Sequence, residues 1–455
     1  MIRTQLRDNQ SEAVDQAVEL DGFALFSQQR VGKTLPALAI ADRLKPDIVF
    51  IVCPKNALLV WKKQIREHLK INWPCRFFRY HYAHVCRSSK HRRHFRQKFR
   101  HEWANKRVHL IVDESHHTKR RGSMQSRMCR SLAHLATYVT YLSGTPIDKW
   151  EDYWAQFDAI QPGVLGDEYE DFQEDFLVMG GYRDKEIIGY KNKEKFFAIV
   201  HKYSYRITLR EAQISAGRKP YMVKKRFVRF DLKPESRRAY RELEKKLETV
   251  VNRRKIKTPL VVTLTQKLQQ LAGGYLIHKK PLYNQDGTPQ LTKQGKPKFL
   301  KEIIPVGREK MIQLERLVTL DSVFAEKFVV CANYTHELGE IAKRLDRLGR
   351  SYKIVDGDHP FDGTFDTDCV LLQVRTAEAI DLAKAKTYVF FSWNHSFIDF
   401  QQALFRILEF KSKLVRYYFL MANDTVDQDI YDAAIRKQKL AVLIADRYRR
   451  RKRAA

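Results

Sequence analysis

The chain has 455 residues, too many for one ordinary hydrophobic core, so two or three domains are expected. Hydrophobic residues make up 44% of the sequence and aromatic residues 12%, which excludes an intrinsically disordered chain. The formal net charge is +31. An excess of this size favours binding to a polyanion such as nucleic acid, and such binding weakens steeply with salt.

The cysteines and the apolar runs indicate the compartment. There are six cysteines and no CxxC pair, which argues against a disulfide framework or a zinc ribbon and is typical of a reducing cytosol. The sequence contains neither an apolar signal-peptide core at its start nor an apolar run of membrane-spanning length. We therefore expect a soluble cytoplasmic protein that does not contact a membrane.

Four short apolar strands are predicted in the first third, and each one runs into polar residues. They are DGFALF (21–26), DIVFIV (47–52), VHLIV (108–112) and TYVTYL (137–142), with helical patterns between them. Apolar runs without polar alternation are typical of parallel sheets covered on both faces. Such sheets bind ligands at the carboxyl ends of their strands. The sequence thus predicts an α/β domain over 1–150 with its chemistry along one edge.

The last third repeats this pattern, which predicts a second α/β domain over 306–445. Its strands are predicted at 327–334, 351–357, 369–376, 387–393 and 415–423. The middle, 151–305, is expected to be a mainly helical insertion and linker. It includes the basic segment NQDGTPQLTKQGKPK, which predicts the turns of a hairpin or a loop. Residues 446–455 form a basic tail without a folding pattern.

The first predicted strand leads into SQQRVGKT, after which a helical pattern begins. Backbone N–H groups in such a turn, near Gly32, and at the helix N-terminus bind phosphate oxygens. Lys33 can reach the β- and γ-phosphates, and the hydroxyl of Thr34 can bind Mg²⁺. GKT alone is a weak motif, but its position between a strand and a helix makes it specific.

The third predicted strand ends in DESHH. Asp113 can hold Mg²⁺ through water, and Glu114 can orient and deprotonate the water that attacks the γ-phosphate. The alternative is a solvated Asp-Glu turn that only caps a helix, and the upstream GKT makes this the minority interpretation. The two motifs together predict Mg²⁺-bound nucleoside triphosphate as the ligand.

Four motifs in this order resemble superfamily 2 helicases of the Swi/Snf-like branch: GKT, CPKNALLVWKKQI, DESHHTKRRGS and LSGTPID. Several later segments also fit: DYWAQFDAIQPGVLG, VTLTQKLQQLAGGYL, EKMIQLERLV and YYFLMANDTVDQDIYDAAIRKQ. The similarity therefore covers most of the chain. Compact members of this branch occur in tailed bacteriophages, some act on branched DNA, and the chain is similar to that subgroup.

The resemblance implies two RecA-like domains with ATP between them. It assigns Ser143 and Thr145 to coupling between the nucleotide state and domain movement. The residues that it places at the nucleotide, besides the GKT and DE residues, are Gln10, His116, Gln402 and Arg406. Arg406 would act from the second domain by stabilising charge on the transferred phosphoryl group.

Three departures from the branch affect this interpretation. Arg30 stands where the branch has glycine, and Ala377 and Ala379 stand in a turn that is usually rich in glycine. Glu409 stands where a second arginine is expected. This change is the most serious, because that arginine is often the arginine finger, the residue that stabilises charge on the transferred phosphoryl group. Either Arg406 serves alone or another basic residue replaces it, and the candidates are Arg375 and Arg416.

Segment 86–107, CRSSKHRRHFRQKFRHEWANKR, is densely basic with interleaved aromatics. Its cations could neutralise phosphates and its aromatics could stack on bases. Alternatively it is a solvated helix with its aromatics packed inward, as Phe95 and Phe99 at i, i+4 suggest. We expect a mixture, with aromatics in the core and arginines on DNA. The candidate DNA contacts are Lys55, Arg92, Arg93, Arg96, Arg100, Arg375 and Trp393, although a structural role is favoured for Trp393.

The resemblance and the basic charge together predict an ATP-dependent motor that moves along duplex DNA. It would remodel forks or four-way junctions by branch migration, in replication, recombination or repair. It is expected to act as a monomer, with replication or recombination proteins as further partners, and in the host cytoplasm if phage-encoded. The resemblance alone implies 3′ to 5′ movement.

Two alternatives remain open from the sequence. DExH motifs also occur in RNA helicases, and the departures at Glu409 and the two alanines would suit a DNA-binding scaffold with a decayed ATPase. The intact set of Lys33, Thr34, Asp113 and Glu114 counts against decay.

Overall fold

The computed structural model describes residues 1–435, except 148, 185, 247, 252–253, 258–260, 293–294, 296, 378–379 and 395. The chain divides into two compact units. The first contains Met1–Tyr221 and Glu409–Lys413, and the second contains Met222–Leu408 and the chain from Leu414 to residue 435. Ala379 and the predicted basic tail, 446–455, lie outside the described residues.

The elements of the first unit alternate between strands and helices over most of its length. Its helices are α1 (Asp8–Val18), α2 (Thr34–Leu44), α3 (Ala57–His68), α4 (Tyr82–Val85), α5 (Ser89–Trp103), α6 (Met124–Ala133), α7 (Glu151–Ile160), α8 (Tyr169–Phe176), α9 (Lys193–Lys202) and α10 (Leu209–Ser215). Its strands are β1 (Gly22–Leu25), β2 (Ile48–Cys53), β3 (Arg76–His81), β4 (Val108–Asp113), β5 (Tyr138–Leu142), β6 (Leu177–Gly180), β7 (Glu186–Tyr190) and β8 (Ser204–Tyr205).

Six of these strands form a parallel sheet in the order β3-β2-β4-β5-β1-β8. The four strands predicted from apolar runs are confirmed as β1, β2, β4 and β5. All four residues of β1 and all six of β2 are buried, as expected for interior strands of a parallel sheet. The sequence did not reveal β3, because its RFFRYH pattern belongs to an edge strand that is only partly covered.

The core of the first unit contains aromatic side chains from both its sheet and α5. The ring of Phe50 on β2 lies 4.9 Å from that of Phe99 and 5.2 Å from that of Trp103. Phe95, Phe99 and Trp103 are all buried, and they lie on one face of α5 at intervals of four residues. The inward packing predicted for these aromatics is confirmed.

The second unit repeats the parallel arrangement. Its described helices are α11 (Pro234–Lys246), α12 (Val261–Ala272), α13 (Glu309–Leu320), α14 (Thr335–Arg347) and α15 (Phe397–Phe405), with a further helical stretch at 426–435. Its strands are β9 (Met222–Phe230), β10 (Glu248–Val251), β11 (Arg254–Lys257), β12 (Tyr275–Pro281), β13 (Phe299–Pro305), β14 (Phe328–Ala332), β15 (Tyr352–Val355), β16 (Cys369–Gln373), β17 (Thr387–Phe390) and β18 (Leu414–Ala422).

Its main sheet has the order β15-β16-β14-β17-β18-β9, and all neighbours are parallel. The five strands predicted in the last third are confirmed, and β9 is an additional edge strand. Its sequence, MVKKRFVRF, was not recognised because lysine and arginine interrupt the apolar pattern, and most of its residues are exposed. The predicted fold class, two parallel α/β domains in tandem, is thus confirmed.

The middle segment, 151–305, is shared between the two units, which separate between Tyr221 and Met222. It supplies β8 to the first sheet and β9 to the second. Of the two interpretations of its Gly/Pro/Lys-rich part, the hairpin is the one found, because β12 and β13 pair antiparallel on either side of it. Among the described residues, no helix is both long and apolar enough to cross a lipid bilayer.

Candidate active site

The predicted catalytic motifs of the first unit lie along one edge of its sheet. Strands β4, β5 and β1 are neighbours and parallel, so their carboxyl ends lie side by side. The loop of residues 27–33 follows β1, Glu114 follows β4 and the SGT segment follows β5. This is the edge at which open parallel sheets bind their ligands.

The loop of residues 27–33 lies between β1 and α2, and it is called the phosphate-binding loop after its predicted role. Lys33 Nζ donates to the carbonyls of Ser27 at 3.1 Å and Gln28 at 3.4 Å. The next residue, Thr34, begins α2. Gln10 Nε2 donates to the carbonyl of Gly32 at 3.0 Å, which places this residue beside the loop. Its place at the nucleotide, which the resemblance implies, stays a prediction.

Arg30 occupies a backbone conformation that favours glycine. Its φ is +68°, in the left-handed region where a β-carbon crowds the following carbonyl oxygen. Gly32, two residues on, also has a positive φ of +84°, but without this cost. The glycine usual at position 30 in the Swi/Snf-like branch would suit this backbone better than arginine does.

We expect Arg30→Gly to raise the free energy of unfolding by about 1 kcal/mol, because it removes left-handed strain. Arg30→Ala keeps the β-carbon but removes the guanidinium, so it should not give this gain. Urea unfolding of the three proteins, followed by intrinsic fluorescence, measures the difference. Equal stability of the glycine and alanine variants would contradict the strain.

Asp113 is partly buried at the end of β4, and two aromatic residues hold it in place. Trp61 Nε1 donates to Asp113 Oδ2 at 2.8 Å, and the Tyr82 hydroxyl donates to the Asp113 carbonyl at 2.7 Å. Burial, and next the charge of Glu114, raise the pKa of Asp113 to about 7, whereas the Trp61 hydrogen bond and the nearby Lys33 oppose this rise. The influence of Lys33 shows that the GKT and DE motifs are electrostatic neighbours.

Trp61→Phe should raise the Mg²⁺ concentration needed for half-maximal ATP hydrolysis by about tenfold, as is typical when a residue that orients a metal ligand is lost. The variant keeps an aromatic ring in the buried site but removes the donor to Asp113. Trp73→Phe is the matched control, since Trp73 donates instead to the carbonyl of Pro46. A magnesium titration of hydrolysis compares them, and equal Mg²⁺ dependence in all three proteins would contradict this role.

The chain leaves the direction of β4 at Glu114, which has a left-handed backbone conformation. Its φ is +50°, and a short 3₁₀ turn, Ser115–Thr118, follows it. Glu114 Oε2 lies 3.4 Å from Nδ1 of His116, and the His116 ring stacks on that of His117. The carboxylate thus lies beside an imidazole that can orient it. The predicted roles of Glu114 in hydrolysis and of His116 at the nucleotide stay predictions.

The loop after β5, Ser143–Thr145, contacts the phosphate-binding loop directly. A β-carbon at Gly144 would lie only 3.0 Å from the backbone nitrogen of Gln29, so the SGT and phosphate-binding loops touch. Ser143 Oγ accepts from the backbone N–H of Thr145 at 3.2 Å. The contact between Gly144 and Gln29 therefore connects the segment that contains Ser143 and Thr145 to the phosphate-binding loop.

A second link runs through Gln156, a wholly buried residue of α7. Its Oε1 accepts from the Ser115 hydroxyl at 2.8 Å, and its Nε2 donates to the carbonyl of Pro146 at 2.8 Å. Ser115 directly follows Glu114, and Pro146 directly follows the SGT segment. Gln156 therefore fixes the DE and SGT loops relative to each other.

The residues predicted to act from the second unit are mostly buried there. Gln402 and Arg406 lie on and just after α15, with exposed fractions of 4% and 6%. Arg406 Nη1 donates to the carbonyl of Ile380 at 3.3 Å. Arg375, by contrast, is exposed. Trp393 is only 1% exposed, so its indole lies in the core, as the structural alternative requires, and we no longer place it on DNA.

The basic helix α5 presents a charged outer face opposite its buried aromatics. Arg93, Arg96 and Arg100 are exposed on this face. Arg92 is instead partly buried, and its guanidinium donates to the carbonyl of Cys86 at 3.3 Å. The candidate DNA contact at Arg92 stays a prediction. Lys55, predicted as another contact, is exposed directly after β2.

The donor set at the edge of the first sheet fits Mg²⁺. Asp113 offers a carboxylate and Thr34 a hydroxyl, and Mg²⁺ prefers hard oxygen ligands. His109, on the same strand as Asp113, bonds instead to Thr140 Oγ1 in the core, and burial lowers its pKa to about 3. Among the described residues, no group of three or more His, Cys, Asp or Glu side chains forms a separate metal cluster.

A parallel sheet with a glycine-containing phosphate loop after one strand and an acidic pair after another, with a single strand between the two, defines the nucleoside-triphosphate-binding class of α/β domains. The profile of the SNF2-related domain matches residues 20–280, more than half of the chain, and the chain belongs to this family. A search of curated proteins gave no significant match.

Two solved structures of the Sulfolobus solfataricus SWI2/SNF2 ATPase core are similar to the chain. The core in complex with dsDNA is 17% identical, and the match covers 96% of this chain and 92% of that one with a TM-score of 0.41. The second structure, of the core domain, is 18% identical, with coverage of 96% and 90% and a TM-score of 0.41.

Three residues of this site were not assigned a role from the sequence. Trp61 lies within the quoted CPKNALLVW motif, but nothing in that motif says that its indole reaches Asp113. Gln156 sits in a helix in which every residue after Glu151 is buried, so periodicity does not single it out. Tyr82 lies in a short helix before the basic segment, where no chemical pattern marks it.

Proposed function

We propose that this protein is a DNA-dependent ATPase that uses ATP hydrolysis to move along duplex DNA and to remodel branched DNA. The observation that carries the proposal is the arrangement of the GKT, DE and SGT segments on neighbouring strands of one sheet, in a chain of the SNF2-related family. Motor ATPases that contain such segments convert phosphoryl transfer into movement of one domain against another.

The candidate catalytic residues of the first unit have distinct roles in the proposed hydrolysis. The backbone N–H groups of the phosphate-binding loop and Lys33 bind the β- and γ-phosphates of ATP, and Thr34 and Asp113 hold Mg²⁺. The bound Mg²⁺ neutralises negative charge on the phosphates. Glu114 accepts a proton from the attacking water, and His116 keeps the carboxylate oriented.

The coupling to movement is proposed to begin at the SGT loop. Gly144 packs on Gln29 of the phosphate-binding loop, and Gln156 connects the SGT loop to the residue after Glu114. A change at the γ-phosphate therefore displaces the SGT loop through two separate contacts. Ser143 and Thr145 pass this change onward, and Gln402 and Arg406 of the second unit respond to the nucleotide.

The proposed nucleic-acid partner follows from charge. The net charge of +31 favours a polyanion, and α5 carries exposed arginines along one face with its aromatics buried beneath them. Buried aromatics do not stack on bases, so this face suits phosphate contacts along duplex DNA better than base recognition. We propose that the DNA phosphates are bound by Arg93, Arg96 and Arg100. Further candidates for this contact are Lys55 and Arg375.

An RNA helicase and a DNA-binding scaffold are the two competing functions. The SNF2-related family match favours DNA over RNA. The scaffold would need a decayed hydrolysis site, yet the charge of Lys33 still lowers the pKa of Asp113, and Trp61 and Tyr82 both donate hydrogen bonds to Asp113. Glu409, where an arginine was expected, remains the best argument for the scaffold.

ATP turnover at moderate salt with four activators separates these functions: single-stranded DNA, blunt duplex DNA, a four-way junction and structured RNA. We expect strong stimulation by duplex and junction, little by RNA, and no turnover in Lys33→Ala. Preferential stimulation by RNA would favour the RNA helicase. Tight DNA binding without turnover under any condition would favour the scaffold.

A further inference from the structure

The antiparallel pair β12–β13 forms a two-stranded hairpin in the second unit, separate from the main sheet. The paired residues run from Tyr275 opposite Pro305 to Pro281 opposite Phe299. Each seven-residue strand spans about 24 Å at the usual rise per residue. The connecting segment, 282–298, adds further length beyond the last pair.

The base of the hairpin is buried, whereas its outer part is exposed on both faces. Tyr275, Leu276 and Ile304 at the base have exposed fractions of 4% or less. The outer pair is different, because Leu300 is 55% exposed and Phe299 is 49% exposed. Adjacent strand residues point to opposite faces, so neither face of the outer hairpin is covered by the rest of the unit.

The tip of the hairpin is held by hydrogen bonds of its own. The backbone N–H of Leu282 donates to the carbonyl of Lys298 at 3.0 Å, the N–H of Gln290 donates to the carbonyl of Leu282 at 2.8 Å, and the N–H of Lys298 donates to the carbonyl of Gln290 at 2.7 Å. Asp286 Oδ1 accepts from the backbone N–H of Thr288 at 2.9 Å. The hydrogen bonds therefore give the described part of the tip a defined conformation.

Exposed large apolar side chains and exposed lysines occur together among the described residues of this outer part. Tyr283 is 56% exposed and Leu291 is 54% exposed, and they add to Phe299 and Leu300. Lysines outnumber carboxylates among the described residues from 280 to 301, where Lys280, Lys298 and Lys301 are exposed against the one carboxylate of Asp286. Four exposed apolar side chains on one projection are costly in water unless a partner covers them.

We propose that the outer hairpin, residues 280–301, contacts unpaired bases at the branch point of DNA. Exposed aromatic rings beside lysines are the combination that binds single-stranded nucleic acid, since bases stack on the rings while cations bind the phosphates. A linear duplex offers no unstacked base to Tyr283 or Phe299, so the contact is specific for branches. This inference names the substrate structure of the proposed motor and therefore rests on the proposed function.

The contact is tested first by photocrosslinking, which does not require ATP hydrolysis. Three-way junctions carry 5-iododeoxyuridine either at the branch or ten base pairs away, and crosslinked peptides are identified by mass spectrometry. We expect peptides from 280–301, and Tyr283 or Phe299 in particular, to crosslink only with the probe at the branch. Junctions that bind tightly without crosslinking to this segment would overturn the proposal.

Affinity measurements test the role of the rings. We expect the double variant Tyr283→Ala, Phe299→Ala to bind the junction about tenfold more weakly, as loss of base stacking implies, and linear duplex with less than a twofold change. Tyr283→Phe keeps the ring and should bind normally. Tyr182→Ala is the control, because Tyr182 is 74% exposed but lies in the first unit.

The outcomes separate the hairpin from the motor. Equal weakening on both DNAs, or unchanged binding to both, would overturn the hairpin contact, and the second result would point to a protein partner on this surface. Duplex-stimulated ATP hydrolysis without a branch crosslink would leave the motor intact and remove the hairpin contact. A branch crosslink without any DNA-stimulated hydrolysis would keep the contact and remove the motor.

Discussion

The variant Glu114→Gln is expected to hydrolyse ATP about 10²- to 10⁴-fold more slowly than the wild type, the usual contribution of a positioned general base. Glutamine has the same shape but cannot accept the proton from water. ATP binding should persist, because Lys33 and the phosphate-binding loop are unchanged. Stopped-flow hydrolysis with saturating duplex DNA, together with nucleotide binding by equilibrium dialysis, measures both properties.

Glu174→Gln is the control for this change of charge. Glu174 lies on α8 of the same unit and is exposed, so neutralising it should leave hydrolysis unaltered. Turnover in Glu114→Gln equal to the wild type would remove Glu114 from the mechanism. Loss of ATP binding along with hydrolysis would instead assign the residue to the fold of the site.

Removal of the Arg406 guanidinium should have the largest effect of any change outside the first unit. An arginine that stabilises charge on the transferred phosphoryl group is worth about 10³- to 10⁵-fold in rate. Arg406→Ala is expected to lose at least the lower figure in kcat, with little change in ATP affinity. DNA-stimulated single-turnover hydrolysis is the measurement.

The burial of Arg406 requires a control for folding. Its guanidinium donates to the Ile380 carbonyl, so its loss also disturbs the second unit. Arg406→Lys retains a positive charge but lacks the planar group, and it should lose most of the activity while unfolding at nearly the wild-type temperature. A variant that melts early but hydrolyses ATP normally when folded would assign Arg406 to structure alone.

The other basic residues provide an internal comparison. Arg375→Ala and Arg416→Ala test whether either residue replaces the arginine that is missing at Glu409. If kcat falls at least 10³-fold in one of these two variants but not in Arg406→Ala, the residue replaced in that variant is the arginine finger and Arg406 is not. Glu409→Arg restores the residue expected from the resemblance, and a faster kcat in this variant would mean that Glu409 limits the natural rate.

The sequence was sufficient for the interior of both sheets and for the edge strand β15, but not for the edge strands β3 and β9. Buried strands such as β2 and β4 are continuous apolar runs, and that signal is local to the chain. The edge strands β3 and β9 mix arginine and lysine with aromatics, because one side of each strand faces solvent. Their places depend on pairing with β2 and β18, which lie far away in the sequence.

The candidate site shows the same limit. Lys33, Asp113 and Glu114 belong to compact motifs whose spacing carries chemical meaning. The hydrogen bonds of Trp61 to Asp113 and of Gln156 to Ser115 join residues 52 and 41 positions apart, so only the folded chain reveals them. Arg30 was marked by its residue type, but its left-handed backbone became evident only from the dihedral angle.

Motion along duplex DNA is the central claim, and displacement of a third strand tests it most directly. A triplex-forming oligonucleotide is bound at one end of a long duplex, and its release is followed after ATP is added. We expect release by the wild type that depends on ATP and is delayed in proportion to the length of the intervening duplex, with none by Lys33→Ala. Duplex-stimulated ATP hydrolysis without release, or equal release by Lys33→Ala, would contradict a motor that moves along DNA.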